Sequence, residues 1–214
     1  MKPRILIIDT AKHTDPALNE RLTEAILRAG GAPVVISDSS GIDDCLSIAE
    51  GVILGDGEAF CCDGETYRCD EEELRACDVC REKGLPLLGI GRGMQVISLV
   101  SGGSLTLKMQ GEKNHCKKEN GNAVLISHAV SVTLDTFIAY DPFKTKVNSA
   151  HSQCLKVPGE DIRVVAVAED GVAEAIEHKK LPWVGVQWHP EYIDGACGEK
   201  IFEYLVALAK GSGE

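Results

Sequence analysis

Apolar residues fall into two patterns along this chain. Ile5–Ile8, Ala32–Ile36, Gly51–Leu54, the stretch from Leu85 to Ile90 and Trp183–Gln187 are short, nearly continuous runs. Runs of this length without alternation predict strands buried on both faces. Between the first two, Leu18, Leu22, Ile26 and Leu27 recur at helical spacing, from the polar Thr14-Asp15-Pro16 start to the Gly30-Gly31 stop. Strand, helix and strand within about thirty residues make a βαβ unit, whose crossover is right-handed. The expected fold is therefore α/β, a doubly wound, mostly parallel sheet flanked by helices, with Ile5–Ile8 as a central strand.

Further elements follow in order. Asp70 and Glu73 form a capping-box pattern that opens a helix running to Lys83-Gly84. Met94, Val96, Ile97, Leu99 and Val100 predict a second helix, with Gly102-Gly103 where a C-cap belongs. Ser104–Leu107 reads as a strand, and the polar loop Lys108–Asn122, containing His115 and Cys116, is expected to border a cleft. Short β-like runs at Val124–Ile126, Val130–Leu134 and Phe137–Tyr140 predict a small antiparallel extension. Val164–Ala168 and Ala173–Ile176 read as a hairpin around Glu169-Asp170-Gly171. A last helix, about Ala196–Lys210, is expected to pack Ile201, Leu205 and Leu208 on the sheet.

Composition narrows the class. With 214 residues and 44% hydrophobic content, one α/β domain spanning 1–214 is expected. A formal net charge of −11 argues against nucleic acid or an anionic membrane as partner, because both require basic patches. The N-terminus lacks a secretory core and no apolar run approaches ~18 residues, so a cytoplasmic protein is expected. Nine cysteines, an odd number, then read as reduced thiols. Cys61, Cys62, Cys69, Cys77 and Cys80 raise a zinc reading, but Cys77 and Cys80 sit within one helix without a second compact pair. They read better as small apolar side chains, and neither a metal nor a cofactor is expected.

Chemistry concentrates where the run ending at Ile90 breaks into Gly-Arg-Gly. A buried strand, a sharp turn and a helix lift Gly91 above the carboxyl end of the sheet, at a helix N-terminus whose backbone N–H groups favour negative charge. A nucleophile belongs there. Gly89-Ile-Gly-Arg-Gly-Met-Gln95 resembles the nucleophile elbow of the class I glutamine amidotransferase superfamily, most closely its γ-glutamyl hydrolase-like branch, the γ-glutamyl-γ-aminobutyrate hydrolase type. Val184-Gly-Val-Gln-Trp-His-Pro-Glu191 resembles the segment carrying that family's catalytic histidine and acid. Gly51-Val-Ile-Leu-Gly-Asp-Gly57 resembles its oxyanion loop, and Val147-Asn-Ser-Ala-His-Ser-Gln153 a substrate-side segment. Two departures stand out: Gly91 replaces the family's cysteine, and His151-Ser152 replaces two adjacent histidines.

The resemblance implies a flavodoxin-like fold and assigns roles residue by residue. Gly91 takes the nucleophile position, His189 the base and Glu191 its orienting acid. The N–H of Arg92 and one from Gly55–Gly57 supply oxyanion donors. Gln95, His151 and Ser152 contact substrate. The implied ligand is a small γ-glutamyl compound or glutamine, with a homo-oligomer or a separate synthetase subunit left open as partner. Without a thiol no thioester forms at Gly91. Two functions follow: a Cys-His-Glu-type γ-glutamyl amide hydrolase lacking its cysteine, or a non-catalytic binding or regulatory protein on the same scaffold.

Overall fold

The computed structural model describes residues 1–8, 16–36, 41–63, 66–67, 69–109, 114–119 and 122–211. Thr14 and Asp15 of the expected helix start, most of the loop centre around 110–113 and 120–121, and the side chain of Cys62 lie outside the described residues. The N-terminal part alternates as expected: β1 (Arg4–Ile8), α1 (Pro16–Arg28), β2 (Ala32–Ile36), α2 (Ile42–Ile48) and β3 (Gly51–Leu54). A two-stranded ribbon, β4 (Cys62–Asp63) with β5 (Thr66–Tyr67), leads to α3 (Glu71–Lys83), β6 (Leu87–Ile90), α4 (Arg92–Val100) and β7 (Ser104–Thr106). The remainder is mainly β: β8 (Lys117–Glu119), β9 (Asn122–Val124), β10 (Ile126–Val132), β11 (Phe143–Ser149), β12 (Cys154–Val157), β13 (Ile162–Ala168), β14 (Ala173–His178) and β15 (Trp183–Val186), before α5 (Glu199–Gly211).

Nine strands form one sheet in the order β11-β10-β13-β14-β15-β6-β3-β1-β2. From β15 to β2 neighbours are parallel, and from β11 to β15 they are antiparallel. The antiparallel extension is thus continuous with the parallel part and joins it at β15. β1 is not central: it lies next to the β2 edge, and β3 occupies the middle of the parallel half. Apolar side chains fill both faces. On one, Leu18, Leu22, Ala25 and Ile26 of α1 meet Ile201, Phe202, Leu205 and Val206 of α5 over the strands, while Leu27 is exposed and Leu208 only half-buried. On the other, α2, α3 and α4 cover Leu6, Ile8, Val52, Leu54 and Leu87. The parallel strands need apolar residues at every position because each face carries helices.

Helix ends follow local chemistry. At α3 the Asp70 side chain accepts from the N3 backbone while Glu73 Oε2 accepts the Asp70 N–H at 2.9 Å, and Gly84 closes the helix at φ +66°. Phe137–Tyr140 is not a strand. Asp135 N donates to Tyr140 O and Thr136 N to Ala139 O, folding the segment into a tight loop that drops Phe137 and Ile138 into the core. An apolar pair can be buried by a loop as well as by a strand. The strand lies just beyond, at β11, where Lys144 and Lys146 interrupt the apolar pattern. Ser104–Thr106 pairs with β12 in a separate two-stranded sheet.

The elbow depends on close backbone approach. A Cβ on Gly93 would lie 2.2 Å from the Leu54 carbonyl oxygen, and one on Gly89 2.5 Å from the Gly93 carbonyl. Their absence lets α4 sit directly on β3 and β6. Gly93→Ala is expected to destabilise the protein by about 3 kcal/mol, at the upper end of overpacking costs. Urea denaturation with an unchanged midpoint would show that α4 is not seated this tightly.

Candidate functional site

The ends of β3, β6 and β15 lie side by side because Leu54 pairs with Gly89 and Val186 with Ile90. Residues 55–58, Gly91 and 187–191 therefore emerge together at the carboxyl edge of the sheet. Gly91 has φ +56° and ψ −110°, and its N–H donates to Val186 O at 2.9 Å. Glycine adopts this backbone without the roughly 1–3 kcal/mol that a side chain would cost there. A cavity of about 120 Å³ opens above it. That is well below the ~300–1,000 Å³ of drug-sized sites, so it suits a small polar molecule.

Asp56 controls the centre of this cavity. Its Oδ1 accepts the Arg92 N–H at 2.9 Å, and its Oδ2 lies 3.4 Å from His189 Nε2. A Cβ built on Gly91 would meet that same Oδ1 at 2.3 Å. The carboxylate thus fills the space that a side chain at position 91 would need and engages the backbone donor expected to receive an oxyanion. Gly55 is also committed, since its N–H points back to Ile8 O at 3.4 Å; Gly57 lines the cavity. No local signal marks this role, because Asp56 acts on the Arg92 amide 36 positions away in the chain.

His189 and Glu191 come together as expected. The imidazole Nδ1 is 2.8 Å from Glu191 Oε1, and Asn148 grips the His189 backbone, donating to its carbonyl and accepting its N–H, each at 2.8 Å. Burial opposes a charge on this ring, but the Glu191 hydrogen bond and the Asp56 carboxylate outweigh it and raise its pKa to about 9. His189 is therefore an imidazolium held between two carboxylates at neutral pH, a state that cannot take up a proton.

Arg92 does more than offer its amide. Its guanidinium is buried, bonds both Glu73 oxygens at 2.8 and 2.9 Å, donates to Glu58 O at 2.8 Å and stacks 4.0 Å over Phe60. Gln153 clamps the same loop, accepting from Phe60 N at 2.7 Å and donating to Phe60 O at 2.8 Å. Elbow, oxyanion-type loop and α3 are thus fixed as one unit. Asn148 and Gln153 were named in the sequence only as motif neighbours, and their bidentate amide grips require the fold to be seen.

The expected substrate residues divide. Gln95 lines the cavity, but its amide donates to Gln187 Oε1 at 2.9 Å and Gln153 O at 3.2 Å. Ser152 also lines it. His151 borders the cavity while its ring nitrogens face elsewhere: Nδ1 is 3.0 Å from Gln153 O and Nε2 is 3.2 Å from His115 Nδ1. His115, expected in a solvated loop, is buried. Cys61 is exposed and away from the cavity lining, while Cys77 and Cys80 are buried beneath α3, the latter thiol pushed by burial to about 12. They behave as apolar packing. No helix among the described residues is long and apolar enough to cross a membrane.

The parallel half of the sheet ends in a sharp strand–helix elbow with a histidine–carboxylate pair beside it. Residues 8–191 match the Peptidase C26 family, and the chain belongs to that family. A glutamine amidotransferase-like protein of Rickettsia prowazekii is 28% identical over 91% of this chain and 89% of its own length. A Schizosaccharomyces pombe protein described as a glutamine amidotransferase is 29% identical over 87% and 80%. A GMP synthase of Francisella tularensis is 28% identical over 74% of this chain, but only 27% of that protein is matched. Among solved structures, the glutaminase domain of Trypanosoma brucei CTPS superposes with a TM-score of 0.71 at 15% identity, covering 98% of this chain and 94% of that one. The likeness in structure is one of fold. Family membership implies amide hydrolysis as the family's chemistry.

The raised His189 pKa has a sign. Because the folded value lies above the usual 6.5, the stabilisation it brings is complete below about 6.5 and is lost as pH rises through about 9. Asp56→Asn removes one of the two carboxylates, so the imidazole should titrate at lower pH in a ¹H–¹⁵N NMR titration. An unmoved titration would separate Asp56 from His189.

Proposed function

We propose that this chain binds a small γ-glutamyl compound, such as glutamine or another γ-glutamyl amide, and does not cleave it. The observation that carries the reading is the Asp56 carboxylate lodged against Gly91, on the Arg92 amide and beside His189. Two requirements of cysteine amidase chemistry are affected together. The nucleophile is absent and the Arg92 donor is taken. An amide ligand suits the altered pocket, since its N–H groups donate to Asp56 where a tetrahedral oxyanion would be repelled. Gln95, Ser152 and the Gly57 edge then contact the glutamyl part.

The second function, a hydrolase lacking only its thiol, is favoured by the intact His189–Glu191 pair. It differs in treating Gly91 as the sole change. The similarity to a GMP synthase keeps a separate synthetase subunit in view as partner, with a homo-oligomer the alternative. A chain that releases no ammonia would serve such a subunit as a ligand-responsive regulator rather than a donor.

Glutamate release from a panel of γ-glutamyl amides, alongside calorimetric binding, distinguishes the two. The unaltered protein should bind without turnover, Gly91→Cys alone should gain little, and Gly91→Cys with Asp56→Gly should turn over. Gly91→Cys alone reaching the activity of the double variant would support the thiol-only reading. Turnover by the unaltered protein would sink the binding proposal, and absence of binding would remove the γ-glutamyl assignment itself.

A further inference from the structure

Behind the cavity wall, four side chains from separate segments point at one another. They are His115 from the turn at 114–116, His128 on β10, His151 just after β11 and Glu174 on β14, and one ligand-type atom from each lies within 4.8 Å of all the others. His115 Nδ1 is 3.2 Å from His151 Nε2 and 3.3 Å from Glu174 Oε1. That oxygen is in turn 3.3 Å from His151 Nε2 and 3.5 Å from His128 Nε2. In a tetrahedron of donors about 2.0–2.1 Å from a zinc-like ion, the edges are about 3.3 Å. The four short separations match that spacing.

The outward nitrogens complete the argument. His115 Nε2 lies 2.9 Å from Asp170 Oδ2, His128 Nδ1 3.3 Å from Ala129 O and His151 Nδ1 3.0 Å from Gln153 O. Each outer position thus faces an oxygen acceptor, and in the tautomer that donates to it the inner nitrogen presents a lone pair. Acceptors behind ligating histidines fix tautomer and orientation in this way. The inner atoms have no such partners: Glu174 is fully buried, and neither of its carboxylate oxygens nor His128 Nε2 has a hydrogen-bond partner among the described residues. A fully buried carboxylate facing three imidazole nitrogens calls for a positive centre among them.

We infer that His115, His128, His151 and Glu174 form a site for a divalent transition-metal ion of the zinc type. Three imidazoles and one carboxylate select against magnesium and calcium, which prefer all-oxygen shells. His115, His128 and Asp170 also line an open groove separate from the cavity above Gly91, which gives the ion a route in. Four protein donors close the coordination shell, so the ion's role is to hold structure. It would tie the His115 turn to β10 and β14 and fix His151, next to the Ser152 wall and the Gln153 clamp on Phe60. This site is independent of whether the cavity cleaves or only binds.

The test uses the full chain, stripped with a chelator and titrated with zinc against a competing indicator, with cobalt as a spectroscopic probe. One zinc per chain is expected, and cobalt should give the strong visible bands of a tetrahedral nitrogen–oxygen site. His128→Ala should abolish stoichiometric uptake. Asp170→Asn, which leaves all four ligands in place on a partly exposed residue, should weaken it by roughly 10–100-fold. The inference is overturned if the unaltered chain takes up no stoichiometric zinc, or if both variants bind as it does. Thiolate charge-transfer bands in the cobalt spectrum would place the ion on cysteines and overturn it too.

Discussion

A carboxylate oxygen beside a glycine with no side chain governs the functional end of this molecule. Asp56 Oδ1 occupies the volume that a residue at position 91 would need, and its hydrogen bond to the Arg92 amide satisfies a helix N-terminus that otherwise attracts anions. The neighbouring oxygen faces His189 and helps hold that imidazole charged. One side chain therefore links the elbow glycine, the α4 N-terminus and the His189–Glu191 pair. A small residue at 91 and an acid at 56 are compatible with each other, whereas a cysteine at 91 and this placement of Asp56 are not. The two positions are structurally coupled.

That arrangement rests on a rigid surround. The buried Arg92–Glu73 pair joins the elbow to the capped start of α3, and removing either partner would strand the other without water, which typically costs about 3–5 kcal/mol. Phe60 lies under the guanidinium and within the Gln153 clamp, so residues 58–60 cannot move independently of the elbow. From β14 and β10, the histidine–glutamate cluster braces the opposite wall through His151. The cavity is thus held from both sides by polar contacts buried in apolar layers.

Much of the fold was legible because its determinants are local. The parallel strands appear as unbroken apolar runs, α3 is announced by Asp70 and Glu73, and the elbow by glycines that permit contact with Leu54 and a positive φ at residue 91. Phe137–Tyr140 reads as a strand and β11 carries no strand signal, because apolar content, not hydrogen bonding, is what the sequence displays. Within the site, His189 and Glu191 are two residues apart and could be paired from sequence. Asp56, Asn148 and Gln153 act across 36 to 93 positions, and His115, His128, His151 and Glu174 converge only when the antiparallel half of the sheet is assembled. A lone histidine carries no information about its distant partners. Of the cysteines near the oxyanion-type loop and α3, Cys77 and Cys80 are buried as the sequence reading of apolar packing expects, whereas Cys61 is exposed.

The most direct examination is a high-resolution crystal structure of the unaltered protein grown with a γ-glutamyl amide. The account predicts an intact amide in the cavity, with Asp56 still accepting from the Arg92 backbone and His189 still between Asp56 and Glu191. Glutamate alone in the cavity, or Asp56 turned away with the Arg92 amide bonded to the ligand carbonyl, would contradict it.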